Sequence, residues 1–295
     1  MPTKIRTILR LCRQQQIVGM PKNDDKLSLE LVEKMYNGQQ SIVDNSGSLV
    51  VSASAIDRIK NGMMEASALD FFFKIIQGEA KKNDKKIAIF PINFMLTLLE
   101  ASAANGTNRM FRRYEVRNGW RDIFQDADQL HFPILYCSHY SVISIAKLQQ
   151  QSTSGHYYRI YAKCSMGKDM ENLVTPLLTA IKNYYKFKGK QFNQDQWLRP
   201  MGRGAKRCAK QAENGLNCGV FVCFNIEMMT KDNVPYPEFR NSDVPMYRKH
   251  VLQTIMNFVK THNDDYSMLE VTARGRAGGK RVRSKSQDNI IDLTE

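Results

Sequence analysis

No acidic residue occurs before Asp24, and none between Ala273 and Lys285. These two stretches hold eleven basic residues of a 295-residue chain whose formal net charge is +14, so the positive excess is concentrated near the ends. Tails of this kind are solvated and flexible, and they suit nuclear import or a weak contact with nucleic acid. Long apolar runs are also missing: the stretch from Ile87 to Leu99 is interrupted by Pro91 and Asn93 and is too short to span a bilayer, so no membrane association is expected. No apolar block with a small-residue cleavage site opens the chain, which predicts no secretory signal and a nuclear or cytoplasmic protein. The six cysteines are then expected as thiols. They include no Cys-x-x-Cys pair, which argues against a zinc site. The segment 202–207, Gly-Arg-Gly-Ala-Lys-Arg, lacks the Lys-Ser/Thr ending of a phosphate-binding loop. No metal and no cofactor is expected.

What the chain does have is a core. Hydrophobic residues make up 42% of it, enough for one enzyme-sized domain. We expect a basic N-terminal extension over 1–44, a catalytic domain over 45–262 and a flexible basic tail over 263–295. Inside the domain, 56–76 reads as helical with Phe71, Phe72 and Phe73 feeding the core, and 87–90 begins a buried segment. The β-formers of 132–136 and 140–146 predict two pieces of one strand or two neighbours, with 157–161 the next strand. Helices are expected over 173–185, with Pro176 in the first turn, from Cys218 through Met229, and over 246–259. Helix, sheet, helix in that order indicates an α+β domain.

The segment 211–223, Gln-Ala-Glu-Asn-Gly-Leu-Asn-Cys-Gly-Val-Phe-Val-Cys, joins a turn signal, a cysteine and an apolar run. Asn214-Gly215 marks the turn, and Cys218 then opens a helix, where the macrodipole favours thiolate over thiol. Cys223, one turn further on, reads as a buried structural cysteine. A thiol nucleophile needs a base. His139 is the best candidate, at a strand edge within 136–145, Tyr-Cys-Ser-His-Tyr-Ser-Val-Ile-Ser-Ile. His131, His156, His250 and His262 lie in polar contexts where a solvated histidine is expected.

Together these segments resemble the paired signatures of the ubiquitin-like-protein-specific cysteine protease family, which includes SUMO proteases and the adenovirus protease. That family has His-Trp on a strand, then an Asp-Ser step, then Gln-x-Asn-Gly-x-Asp-Cys-Gly. This chain has His139-Tyr140, Cys164-Ser165 and, over 212–219, Ala-Glu-Asn-Gly-Leu-Asn-Cys-Gly. The run Asn-Gly-Met-Met-Glu-Ala-Ser-Ala-Leu-Asp-Phe-Phe-Phe over 61–73 resembles the family's first catalytic-domain helix, and Asp122-Ile-Phe124 and Val244-Pro-Met-Tyr-Arg248 follow in the family's order. The resemblance implies a papain-like fold, a central mixed sheet flanked by helices, and a thiol protease; a monomer is expected. Its substrates would be SUMO-like or other ubiquitin-like proteins and their conjugates, cut after a C-terminal Gly-Gly. It implies Cys218 as nucleophile and His139 as base, with Met63, Tyr140, Asn214, Gly215 and Gly219 contacting substrate.

Three departures stand out. Cys164 occupies the place of the acid that orients the histidine, and a thiol is a poor acceptor; Asp169 could supply the acid instead, or the site could run as a dyad. The oxyanion-hole Gln is replaced by Ala212, with Gln211 adjacent as a substitute donor. Met63 and Tyr140 stand where the family roofs its diglycine tunnel with tryptophans, while Trp120 and Trp197 read as packing residues. Finally, the segment 288–295, Asp-Asn-Ile-Ile-Asp-Leu-Thr-Glu, has the form of a SUMO-interacting motif: Ile290, Ile291 and Leu293 would add as a strand to a partner's sheet edge, with Asp292 facing basic residues. Two other readings fit the sequence: an inactive relative that only binds a ubiquitin-like protein, and a viral or mobile-element protease acting on structural precursors.

Overall fold

The computed structural model describes residues 40–46, 49–100, 104–136, 138–149, 155–198, 211, 215–232 and 239–270. Its centre is a five-stranded mixed sheet in the order β3-β4-β5-β6-β7: β3 (Ile87–Ile89), β4 (Gln129–Tyr136), β5 (His139–Gln149), β6 (His156–Cys164) and β7 (Trp197–Leu198). The middle three strands are antiparallel, and β3 and β7 join the two edges in parallel. The two apolar runs at 132–136 and 140–146 are therefore neighbouring strands. Tyr136 pairs with His139 across a two-residue loop, and Ser138 takes the left-handed conformation (φ 57°) that so tight a reversal requires.

Alternation along β5 assigns its two faces. Tyr140 and Val142 belong to one apolar cluster, Ile143 and Ile145 to another. The first cluster is built by α1 (Ala53–Asn61), α2 (Ala66–Lys82), and the later helices α7 (Cys218–Asp232) and α8 (Val244–Thr261). The second is built by α3 (Ile92–Glu100), α4 (Ala104–Asn118), the short α5 (Ile123–Asp126) and α6 (Glu171–Phe187). Helices thus cover both faces of the sheet, as expected for a papain-like α+β fold. The helix expected over 56–76 is broken at residues 62–65: α1 is closed by Gly62, whose N–H donates to Arg58 O (2.9 Å), and α2 starts after Glu65, which is extended. That break leaves Met63 in a connecting segment, half-buried against the first cluster. Pro176 is the sixth residue of α6 and not part of its first turn, because that helix begins at Glu171.

Two further strands flank the 45–262 span. β1 (Gln40–Asp44) pairs antiparallel with β2 (Leu49–Val51) and with β8 (Tyr266–Glu270), forming a small sheet in the order β2-β1-β8. Tyr266 packs edge-on against Phe71 at 5.4 Å between ring centroids, which ties this sheet to α2. Trp197 is buried and stacked on Tyr158 at 4.2 Å, a packing role. Among the described residues, no helix is long and apolar enough to cross a membrane.

Candidate active site

Three side chains meet at one end of the central sheet. His139 opens β5, placed there by the tight hairpin from β4. Cys164 closes β6 and is the direct cross-strand partner of Ser141, so His139, two residues before Ser141, lies diagonally across from it on the same face. Cys218 is the first residue of α7.

All three are buried. The Cys164 sulfur lies 3.3 Å from His139 Nε2. The Cys218 thiol shares a hydrogen bond with the same imidazole.

The electrostatics follow from these contacts. Burial opposes ionisation of Cys218, but the hydrogen bond from His139, the backbone N–H of Tyr140, the imidazolium charge and the N–H of Gly219 outweigh it and hold the thiol below its ordinary range. Burial likewise pushes His139 down, yet its hydrogen bonds to Cys164 and Cys218, with their charge, carry it up to about 9. Such a pair favours thiolate and imidazolium over the neutral forms. Cys223 is the contrast: burial, with the charge of Glu227, pushes its thiol well up, so it is inert despite lying one turn further along α7.

The helix start is fitted closely into its surroundings. A Cβ added at Gly219 would lie 3.2 Å from Met64 Cβ, 3.4 Å from Leu69 Cδ1 and 3.5 Å from Tyr140 Cδ2, so a larger residue would have to push the Met64 side chain aside by a few tenths of an ångström. Tyr140 is buried here, and burial followed by the charge of Cys218 pushes its phenol up to about 12.

The other expected residues fall as follows. Asp169 is engaged elsewhere: its Oδ1 accepts the backbone N–H of Glu171 at 3.0 Å, at the start of α6. Gln211 bridges the two sides of the site. Its backbone N–H donates to Ser165 O (3.0 Å), its Oε1 accepts from Ser165 Oγ (3.2 Å), and its Nε2 donates to Gly215 O (3.2 Å). Among the described residues, the second N–H of that amide has no acceptor. Asn214 and the terminal motif of Ile290, Ile291, Asp292 and Leu293 lie outside the described residues.

His131, expected to be solvated, is instead fully buried on β4. Its Nδ1 is 2.9 Å from Ser144 Oγ and its Nε2 3.1 Å from Gln129 Oε1. Burial, with the nearby charge of Lys163, lowers it to about 3, so it is a neutral core histidine. The difference arises because the residue is interior to a strand covered on both faces, where Ser144 and Gln129 satisfy it in place of solvent.

Arg248 is the residue whose role the sequence did not disclose. Buried on α8, it donates from Nη1 to the carbonyls of Arg58 (3.1 Å) and Ile59 (2.8 Å), and from Nη2 to Gly62 O (2.7 Å), Leu216 O (3.1 Å) and Asn217 Oδ1 (2.8 Å). It thereby closes the end of α1 and fixes the turn that presents Cys218. The available signal was a lone arginine between Tyr247 and Val251 on the apolar face of the helix.

Among the described residues, no group of three His, Cys, Asp or Glu side chains is arranged to hold a metal ion. The site's three groups suit acyl transfer to sulfur.

Comparison with known proteins agrees with this geometry. The family model described as the Ulp1 protease family, C-terminal catalytic domain, matches residues 63–258, more than half of the chain. Among solved structures, a SUMO protease Ulp1 with its catalytic cysteine oxidised to a sulfinic acid aligns with a TM-score of 0.61 at 16% identity, covering 81% of this chain and 97% of that one. The Ulp1-like SUMO protease catalytic domain of Chaetomium thermophilum aligns with a TM-score of 0.60 at 19% identity, covering 82% and 92%. A crystal structure of a de-sumoylating protease aligns at 0.56 with 16% identity, covering 76% and 95%. Comparison with curated proteins gives no match.

Proposed function

We propose, starting from the fact that this chain belongs to the Ulp1 protease family, that it is a thiol protease cutting after the C-terminal Gly-Gly of a SUMO-like modifier. The observation that supports this most strongly is the Cys218–His139 pair at the start of α7, with its thiol held below and its imidazole above their ordinary ranges.

In the reaction, the Cys218 thiolate attacks the carbonyl carbon of the terminal glycine. The negative charge moves to the carbonyl oxygen, where the backbone N–H of Cys218 and the second amide N–H of Gln211 serve as donors. Imidazolium His139 gives its proton to the departing amine, either a peptide nitrogen of a precursor or a lysine Nζ of a conjugate, and a thioester remains. Water, losing a proton to His139, then attacks the thioester. The modifier leaves with a free carboxylate and Cys218 is regenerated.

Met63, Tyr140, Gly215, Gly219 and Asn214 form the channel for the diglycine tail. Flat or adaptable apolar groups at Met63 and Tyr140 admit glycine and exclude side chains. The motif at Ile290, Ile291, Asp292 and Leu293 holds a second SUMO, and the basic ends direct the protein to the nucleus.

The test is hydrolysis of a fluorogenic SUMO carrying a C-terminal aminocoumarin, beside the same probe made from ubiquitin. Release from the SUMO probe that vanishes in Cys218→Ala supports the reading. Binding of SUMO without turnover would instead favour a relative that only binds, a reading that draws on Cys164 standing in the place of an acid.

A further inference from the structure

The side of His139 turned away from Cys218 is occupied by a sulfur, and the surroundings of that sulfur are those of an anion. Cys164 ends β6 at a tight turn, where Gly167 N–H donates to the Cys164 carbonyl (2.9 Å) and Gly167 itself takes a left-handed conformation (φ 68°). This turn also carries the backbone N–H groups of Met166 and Lys168, and Ser141 is the direct cross-strand partner of Cys164; all three favour the charged form of the Cys164 thiol. His139 Nε2 lies 3.3 Å from the sulfur, so the donors that surround it come from the neighbouring strand, the following turn and the imidazole. A neutral thiol is a weak acceptor, and so many converging donors would be poorly matched to it.

We infer that Cys164 works as a thiolate and is the positioning residue of this site: it accepts the Nε2–H of His139, fixing the imidazole beside Cys218. The inference rests on the reading of Cys218 and His139 as nucleophile and base. It differs from the sequence-based expectation that a cysteine here leaves the histidine without a partner. No bond is made or broken at Cys164, whose proton goes to solvent before turnover.

The neighbouring charged groups leave this role to Cys164. Lys163 on β6 donates to Asn225 Oδ1 on α7 (2.8 Å), Asp169 accepts from the Glu171 backbone, and Glu171 accepts from Thr175 (2.9 Å). Lys168 contributes its backbone N–H, and Cys218 acts through the shared imidazole. Burial raises the Cys164 thiol, but the His139 hydrogen bond, the two backbone N–H groups and Ser141 bring it down to about 7. A carboxylate in this place would be charged at every physiological pH; a thiolate is charged only above roughly neutral pH. The substitution therefore ties the state of His139 to pH in the physiological range.

The test does not need turnover. In protein labelled with 15N-histidine, the His139 resonances, assigned by their absence in His139→Gln, are titrated in Cys218→Ser. We expect the imidazole still to titrate above its ordinary range. In Cys218→Ser/Cys164→Ser it should fall by at least one pH unit, and in Cys218→Ser/Cys164→Asp it should remain raised. Equal titration in the Ser and Asp backgrounds would overturn the inference, whether or not the protein cleaves SUMO. If Cys164→Ser unfolds, as circular dichroism would reveal, the comparison of Cys218→Ser with its Cys164→Asp counterpart decides: a His139 that titrates at its ordinary value in Cys218→Ser but is raised with Asp overturns the role. In turnover, Cys164→Ser should lower kcat/KM ten- to a hundredfold, and Cys164→Asp should restore it with the acid limb of the pH profile moved to lower pH. An acid limb unmoved in Cys164→Asp would contradict the inference.

Discussion

Arg248 Nη2 donates to Asn217 Oδ1 at 2.8 Å, joining the last long helix to the residue directly ahead of Cys218. The same guanidinium holds three carbonyls at the end of α1 and the Leu216 carbonyl, so one planar fork sets both the turn before Cys218 and the segment bearing Met63. A lysine cannot reproduce that fork. Arg248→Lys should lose about 2 kcal/mol or more of stability, since buried carbonyls are left without donors, and should lower kcat more than KM. Urea unfolding and steady-state kinetics check both effects.

Asn217 accepts from Arg248 with a neutral amide, and burial lowers the Arg248 guanidinium from its usual value. A carboxylate in its place would turn this bond, charged on the donor side only, into an ion pair. Asn217→Asp should therefore raise stability by about 1 kcal/mol. The added charge lies next to Cys218 and should also shift the acid limb of the activity profile to higher pH. A melting curve and a pH–rate profile on the same variant measure the two.

The pH dependence of catalysis follows from His139. Its folded-state value of about 9 means that the imidazolium, and with it the proton for the leaving amine, is lost as pH rises through that range. The profile of kcat/KM should fall on its alkaline side near 9, and on its acid side as the Cys164 and Cys218 thiolates become protonated, both below the ordinary thiol range. His139→Gln should remove the alkaline limb and reduce the rate by about two to four powers of ten.

Stability at low pH is governed in part by a second buried cluster. Glu227 on α7 accepts from Lys231 Nζ (2.6 Å), His250 Nε2 (2.9 Å) and Tyr247 OH (2.5 Å). Burial raises this carboxyl, but His250 and Lys231 more than offset it and lower it to about 2. A depressed folded-state carboxyl stabilises the protein above its unfolded value near 4.5, and that contribution is lost as pH falls from about 5 toward 2. The shift corresponds to about 3 kcal/mol. Urea titrations should show wild type well above Glu227→Gln at pH 7, with the gap closing at pH 3 and below.

Much of this arrangement was legible in the sequence, for identifiable reasons. Cys218 and His139 were readable because each sits at a local boundary with its own signal: a turn before an apolar helix, and the start of an alternating strand. Phe71, Phe72 and Phe73, on a strongly patterned helix, are all core. Cys164 and Arg248 were harder because their roles come from partners distant in sequence. The donors on the Cys164 sulfur combine a turn with a cross-strand neighbour, and the five contacts of Arg248 lie about 30 to 190 positions away. His131 was misread because a polar side chain in a covered strand is satisfied by other strands and helices, and that leaves no local trace. The pairing of β1 with β8 joins segments separated by over 200 residues and had no signal in either one.

The central claim is that Cys218 is a nucleophile for a modifier ending in Gly-Gly. It is tested most directly by the intact mass of the protein after exposure to SUMO carrying a C-terminal vinyl sulfone. The account predicts one stoichiometric adduct, mapped to Cys218, absent from Cys218→Ala and strongly slowed in His139→Gln. An unmodified protein, or an adduct on another cysteine that persists in Cys218→Ala, would contradict it.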